Sequence, residues 1–184
     1  MSYKRYQVFS RKVVYQCPWF QIVVEDVQKP DGFRGNYFIM ERPKGRDFVI
    51  VIVQENDDLY LVNQWRPTLK KDTLEFAAGS VGERETDLEA AKREVAEELG
   101  LKAKKWIFLG KAAVAPGFSS QYGRVFYATG ISQLREKFPG EAGENTEGVK
   151  IKRAKFDQMI YNGKIVDGTT LSAYLLYLVW EKKL

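Results

Sequence analysis

Glu94, Glu97 and Glu98 follow one another within a single stretch, with Arg93 immediately before them and Glu85 a little further ahead. On a helix, positions related by i, i+3 and i+4 lie on one side, so the three carboxylates project together. An exposed Glu94–Glu98 pair repels itself. A hard divalent cation reverses that penalty, because Mg2+ and Mn2+ prefer oxygen ligands. Arg93 has Glu89 and Glu97 one turn away on either side, which predicts ion pairing along the helix. The bland alternative is a charged solvent face on an amphipathic helix.

Composition narrows the chemistry. The 184 residues include no histidine and one cysteine, Cys17. No triad built on imidazole, no histidine-ligated zinc and no disulfide within the chain is therefore available. Proton transfer must fall to carboxylates, Lys, Tyr or metal-activated water. Hydrophobic residues make up 45% and charged residues 29%, which predicts one domain with a real core. The formal charge of +5 hints only weakly at an anionic partner. The polar N-terminus lacks the apolar stretch of an export signal, and the longest apolar run, Ala173 to Trp180, is too short to cross a bilayer. Together with the lone cysteine, these features predict a cytoplasmic protein without a membrane partner.

The elements that must carry these groups follow from patterning. Strands are predicted at Lys12–Gln16, Phe20–Val27, Tyr37–Glu41, Phe48–Gln54 and Leu59–Gln64, rich in Val, Ile, Tyr and Phe. The continuous run at 48–53 predicts a strand covered on both faces. Thr86 with Glu89 has the capping-box pattern, and Gly100 suits a left-handed helix end. Between them Leu88, Ala91, Val95 and Leu99 share one face. Further strands are predicted at Trp106–Leu109, Gly123–Thr129 and Val149–Lys152, then helices near Phe156–Tyr161 and Thr169–Lys183. The stretch Pro139–Gly148, rich in glycine and glutamate, reads as a loop. Strands interrupted by helices imply an α/β or α+β fold.

Gly79, Glu85, Arg93, Glu94, Val95, Glu97, Glu98, Gly100 and Leu101 fit G-x5-E-x7-R-E-U-x-E-E-x-G-U, where U is a bulky aliphatic residue. This resembles the signature of the Nudix hydrolases at every specified position. The resemblance implies a mixed sheet sandwiched between helices and Mg2+-dependent hydrolysis of a nucleoside diphosphate linked to another moiety, with Mn2+ as the alternative ion. It also implies that Glu94, Glu97 and Glu98 are metal ligands, with the Ala78 carbonyl as a further one, and that Arg93 and Glu85 brace the loop. Arg93 and Glu97 are also counted among the catalytic candidates.

Resemblance extends beyond the box. Gln64–Pro67 with Leu74–Gly79, Ala115–Ser119, and the tail Gly163–Leu171 are similar to segments of the ADP-ribose and nucleotide-sugar pyrophosphatases. Pro116, about fifteen residues past the box, stands where the ADP-ribose subgroup carries proline. Ala77 and Ala115 depart from the more usual Pro and Ser, and Gln121 stands where many members have Glu. By this resemblance a loop glutamate serves as general base, Glu147 first and Glu144 second, with Glu141 beside them; solvated loop carboxylates are the alternative. Arg66 is the candidate for gripping the pyrophosphate, because a planar guanidinium can hold two phosphate oxygens. A surface salt bridge is its alternative. Glu75 either orients the ligand or makes a structural hydrogen bond. Pro116 and Gly117 complete the substrate-binding set. Trp19 either stacks on the base or fills a core. The resemblance further implies a homodimer built through an N-terminal strand region at 1–45, with the Nudix domain at 46–184.

The expected reaction is hydrolysis of ADP-ribose to AMP and ribose 5-phosphate, or of a related nucleotide sugar such as GDP-mannose. One rival acts on nucleoside triphosphates, capped RNA or dinucleoside polyphosphates, and the basic stretch Lys150–Lys155 keeps nucleic acid in view. No RNA-binding motif accompanies it. A non-catalytic nucleotide-sugar sensor is the third reading; the intact box argues against it.

Overall fold

The structure, a computed structural model, describes residues 5–42, 47–134 and 146–183. Its elements run β1 (Gln7–Gln16), β2 (Gln21–Gln28), β3 (Arg34–Glu41), β4 (Phe48–Glu55), β5 (Asp58–Arg66), β6 (Lys71–Glu75), β7 (Ala77–Ser80), α1 (Asp87–Leu99), β8 (Leu101–Ala113), β9 (Tyr122–Gln133), β10 (Thr146–Lys152), α2 (Arg153–Tyr161) and α3 (Gly168–Glu181). Contacts divide them into two units, Met1–Asp47 with Ala113–Gln121, and Phe48–Ala112 with Tyr122–Leu184. The resemblance implied one boundary near 45; the return of Ala113–Gln121 to the first unit carried no signal in the sequence.

The first unit is an antiparallel sheet in the order β1-β2-β3. Its middle strand buries Val23, Val24 and Val27, whereas every residue of β1 is exposed, including Val8, Phe9, Val13, Val14 and Tyr15. The segment 113–121 is tied to β3 through Met40, whose N–H donates to the Phe118 carbonyl at 2.7 Å and whose carbonyl accepts from Ser120 N at 3.2 Å.

The second unit is a seven-stranded mixed sheet, β10-β5-β4-β9-β8, with β6 on β5 and β7 on β4. Only β4 and β9, among the registers described, run parallel, Val49 opposite Arg124 and Val51 opposite Phe126. The two-sided burial expected of 48–53 is met. Val49, Val51 and Val53 pack with Ala90, Ala91 and Val95 of α1, and Ile50 and Ile52 pack with Phe156 of α2 and Ala173, Tyr174 and Tyr177 of α3. Each such aliphatic side chain contributes about 1.5–3 kcal/mol relative to exposure. The sheet therefore lies between helices, an α+β sandwich.

Both caps of α1 form as expected. Thr86 Oγ1 accepts from Glu89 N at 3.2 Å, Glu89 returns a carboxylate to Thr86 N at 2.8 Å, and Gly100 adopts φ 65°. Its buried stripe is different. Leu88 is exposed, while Glu94 and Glu98 join Ala90, Ala91 and Val95 on the covered side. The stripe rotates because these two carboxylates find hydrogen-bond partners in the protein.

Several strands outrun their patterning. β1 begins at Gln7, β8 spans Leu101–Ala113, and β10 begins at Thr146, placing Glu147 inside a strand. The short strands β6 and β7 lack the β-branched alternation that marks strands and are held by pairing with β5 and β4.

Candidate active site

The box is assembled where β7, the turn after it and α1 meet in the second unit. Arg93 is its organising cation. Its Nε and Nη2 take both Glu85 oxygens at 2.9 and 3.1 Å, Nη2 also donates to the Ser80 carbonyl at 2.8 Å, and Nη1 reaches Glu94 at 2.7 Å and Glu97 at 2.9 Å. The predicted Glu89 partner is not used, because Glu89 is engaged in the capping box. Glu85 also accepts from Gly82 N at 2.8 Å, which pins the loop before the helix. Hydrogen bonding from Arg93 holds the Glu85 carboxyl below the usual range, and Glu85 in turn raises the Arg93 pKa.

Glu94 and Glu98, taken as an exposed pair from the sequence, are 7% and 8% exposed. Glu98 Oε2 accepts from Ala78 N at 3.0 Å. Glu94 lies against the backbone at Gly79, where an added Cβ would stand 1.9 Å from its Oε1. Glycine is required there for close approach, not for an unusual φ. Ala78 itself pairs with Ile50 across the β4–β7 ladder, so the position of its backbone is fixed by the sheet.

Two further candidates are joined across the β5–β6 pair. Arg66 Nε donates to Glu75 Oε1 at 2.8 Å and Nη2 forms a close ion pair with Oε2. Thr73 Oγ1 donates to Glu75 Oε1 at 2.6 Å. Glu75 is buried, while the Arg66 side chain keeps 42% of its surface exposed. Glu75 raises the Arg66 pKa first by hydrogen bonding, against the opposing effect of burial; Asp167 and Glu98 add to it through space. The salt-bridge and structural hydrogen-bond alternatives for Arg66 and Glu75 are thus one interaction, and it leaves part of the guanidinium open.

Glu147 is exposed and pairs opposite Asn63 in the β10–β5 ladder. Its neighbour Gly148 lies beside the end of α1, where an added Cβ would be 3.7 Å from the Glu98 carbonyl oxygen. Glu141 and Glu144 lie outside the described residues. Trp19, Pro116 and Gly117 belong to the first unit. Trp19 is 71% exposed, so it fills no core. Gly117 offers its carbonyl to the Tyr37 hydroxyl at 2.5 Å.

The donor set fits a hard cation. Two buried carboxylates one helical turn apart and a third beside them on Arg93 supply oxygen donors of the kind a hard cation prefers, and Gly79 leaves room for Glu94 among them. Among the described residues no three acidic side chains yet form a ready coordination shell; Glu94 and Glu97 lean on Arg93 and Glu98 on Ala78 N. Patterning identified the carboxylates but missed the contributions of Gly82 N, Ser80 O and Thr73, which are backbone or second-contact groups without a spacing signal.

A family profile described as the NUDIX domain matches residues 43–167. The chain belongs to the Nudix family. Nudix hydrolases generally use a divalent metal ion. It is similar to an ADP-ribose pyrophosphatase of Mycobacterium tuberculosis (strain ATCC 25618 / H37Rv), 33% identical over 181 residues, covering 95% of this chain and 84% of that protein. An ADP-ribose pyrophosphatase of Bacillus subtilis (strain 168) is 28% identical over 167 residues, covering 91% of this chain and 86% of that protein. The fold also matches a crystal structure of an ADP compounds hydrolase with TM-score 0.87 at 24% identity, covering 100% of this chain and 97% of that one.

Proposed function

We propose that this Nudix hydrolase cleaves the pyrophosphate bond of ADP-ribose, giving AMP and ribose 5-phosphate, with Mg2+ as its ion and Mn2+ as a substitute. The observation that carries the reading is the paired burial of Glu94 and Glu98 against Gly79 and Ala78 N, with Arg93 bridging Glu94 to Glu85 and Glu97. The pyrophosphatase names of the relatives support the substrate.

Glu94, Glu97 and Glu98, with the Ala78 carbonyl, would hold the cation. When bound, the ion offsets repulsion among the pyrophosphate oxygens and makes water a usable nucleophile. Arg66, pre-set by Glu75, presents its remaining N–H groups to phosphate oxygens. Glu147 accepts the proton of the attacking water, with Glu144 as the second choice; a chain without histidine must use a carboxylate or a comparable group. Arg93 keeps the glutamates apart and oriented. Pro116 and Gly117 contact the substrate, and the exposed Trp19 ring stacks on the base.

The enzyme works as a homodimer in the cytoplasm. Support for a second copy comes from β1, whose apolar residues are about half exposed on a strand rich in Val, Phe and Tyr. Among the described residues no helix is long and apolar enough to cross a membrane.

The test is Glu98→Gln, assayed as phosphate released after coupled phosphatase treatment, across ADP-ribose, GDP-mannose, nucleoside triphosphates and capped RNA. Mg2+-dependent turnover of ADP-ribose should be abolished in a folded variant. Unchanged turnover would remove Glu98 from the metal site, and turnover of the other substrates in place of ADP-ribose would reassign the enzyme.

A further inference from the structure

Phe76 is the one residue between β6 and β7, so its amide stands outside both strand ladders. It is 2% exposed, and a buried amide without a partner is costly. Its partner comes from far along the chain: Phe76 N donates to Thr170 Oγ1 at 3.2 Å. Thr170 is itself 1% exposed, in the first turn of α3. Asp167 holds that turn, its Oδ2 accepting from Thr170 N at 2.6 Å and from Thr169 Oγ1 at 2.5 Å. The Phe76 ring is anchored to the same layer, 5.4 Å from Phe156 and 6.3 Å from Tyr174, centre to centre.

The residues on either side of Phe76 are site residues. Glu75 precedes it and orients Arg66. Ala78 follows two residues later and donates its N–H to Glu98. A shift at Phe76 therefore moves the phosphate-gripping arginine and the metal-facing glutamate together. We propose that Thr170 is a positioning residue for the reaction, its hydroxyl setting the β6–β7 corner on which Arg66 and Glu98 depend. This rests on the assignment of Arg66, Ala78 and Glu98 to the site.

The experiment compares Thr170→Val and Thr170→Ala, which lack the hydroxyl, with Thr170→Ser, which keeps it. Each is assayed well below its own melting midpoint. Mn2+ affinity is measured by calorimetry, alongside KM and kcat for ADP-ribose. Loss of one buried hydrogen bond corresponds to a change of roughly tenfold. The hydroxyl-free variants should bind Mn2+ several-fold more weakly and show a raised KM, and the serine variant should restore both. A lowered melting midpoint with unchanged Mn2+ affinity and KM would overturn the proposal, because a purely structural role changes only the amount of folded enzyme. In the wild-type protein, the Phe76 amide should exchange with solvent as slowly as the β4 amides; fast exchange also overturns it. Glu98→Gln serves as the separate control. If it retains Mn2+ binding and activity, the site assignment fails; if it loses them while Thr170→Val does not, only the role of Thr170 fails.

Discussion

Replacing Gly79 with alanine tests the cradle directly. The added Cβ would stand 1.9 Å from Glu94 Oε1, 2.2 Å from its carboxyl carbon and 2.5 Å from Oε2. To reach even a 3.0 Å contact, the nearest oxygen must withdraw by about 1.1 Å. Displacement on the order of 1 Å at a reacting centre can lower the rate by about 10²-fold. Overpacking of this kind costs about 1–3 kcal/mol of stability unless the side chain swings away. If Glu94 does swing, it leaves the 2.7 Å contact with Arg93 and the fold relaxes at the expense of the site. The expected result is therefore a kcat for ADP-ribose down about a hundredfold, with a smaller change in melting temperature. Gly168→Ala is the control, because nothing lies within 4 Å of a Cβ there. Steady-state kinetics at saturating Mg2+ and thermal melts decide it. A Gly79→Ala enzyme with wild-type kcat would refute the claim that Glu94 must lie where the structure puts it.

Two further outcomes follow from the same geometry. Because Glu85 is depressed by Arg93, the folded protein holds that carboxylate ionised more firmly than the unfolded chain does. Its contribution is fully present above the ordinary value of 4.5 and is lost as pH falls below it. Glu85→Gln should thus lower urea stability at neutral pH, with the gap to wild type narrowing on acidification; a gap that widens toward low pH would contradict the sign. On β1, Val13→Lys should convert a dimer to monomers by placing charge on an exposed apolar strand, read by sedimentation equilibrium at several concentrations. A wild-type protein that already sediments as a monomer would exclude the paired β1 surface.

The parts of the fold legible in the sequence were those with a local cause. FVIVIV at 48–53 is apolar at every position because both faces of β4 are covered. Thr86, Glu89 and Gly100 announce α1 because capping is satisfied within one turn. In contrast, β6 and β7 are strands only because β5 and β4 supply their ladders, and no propensity window contains that information. The return of Ala113–Gln121 to β3 is likewise fixed by backbone hydrogen bonds at Met40, which leave no residue-type signature.

The candidate site divides along the same line. Glutamates at 94, 97 and 98 are legible because helical spacing alone brings them to one side. Whether that side faces water or protein is not, and here the difference is decisive. Glu94 and Glu98 tolerate burial because Gly79 yields space and Ala78 N yields a hydrogen bond, both from a strand that the pattern did not reveal. Arg93 shows the same dependence. Helical spacing offered Glu89 and Glu97, whereas the link to Glu85 across the preceding turn, implied only by the family resemblance, is the one that takes two hydrogen bonds, and Glu89 is committed to the cap. Burial then makes the balance strict: one guanidinium is shared among Glu85, Glu94 and Glu97, so a change at any one of these carboxylates alters the hydrogen bonds of the other two.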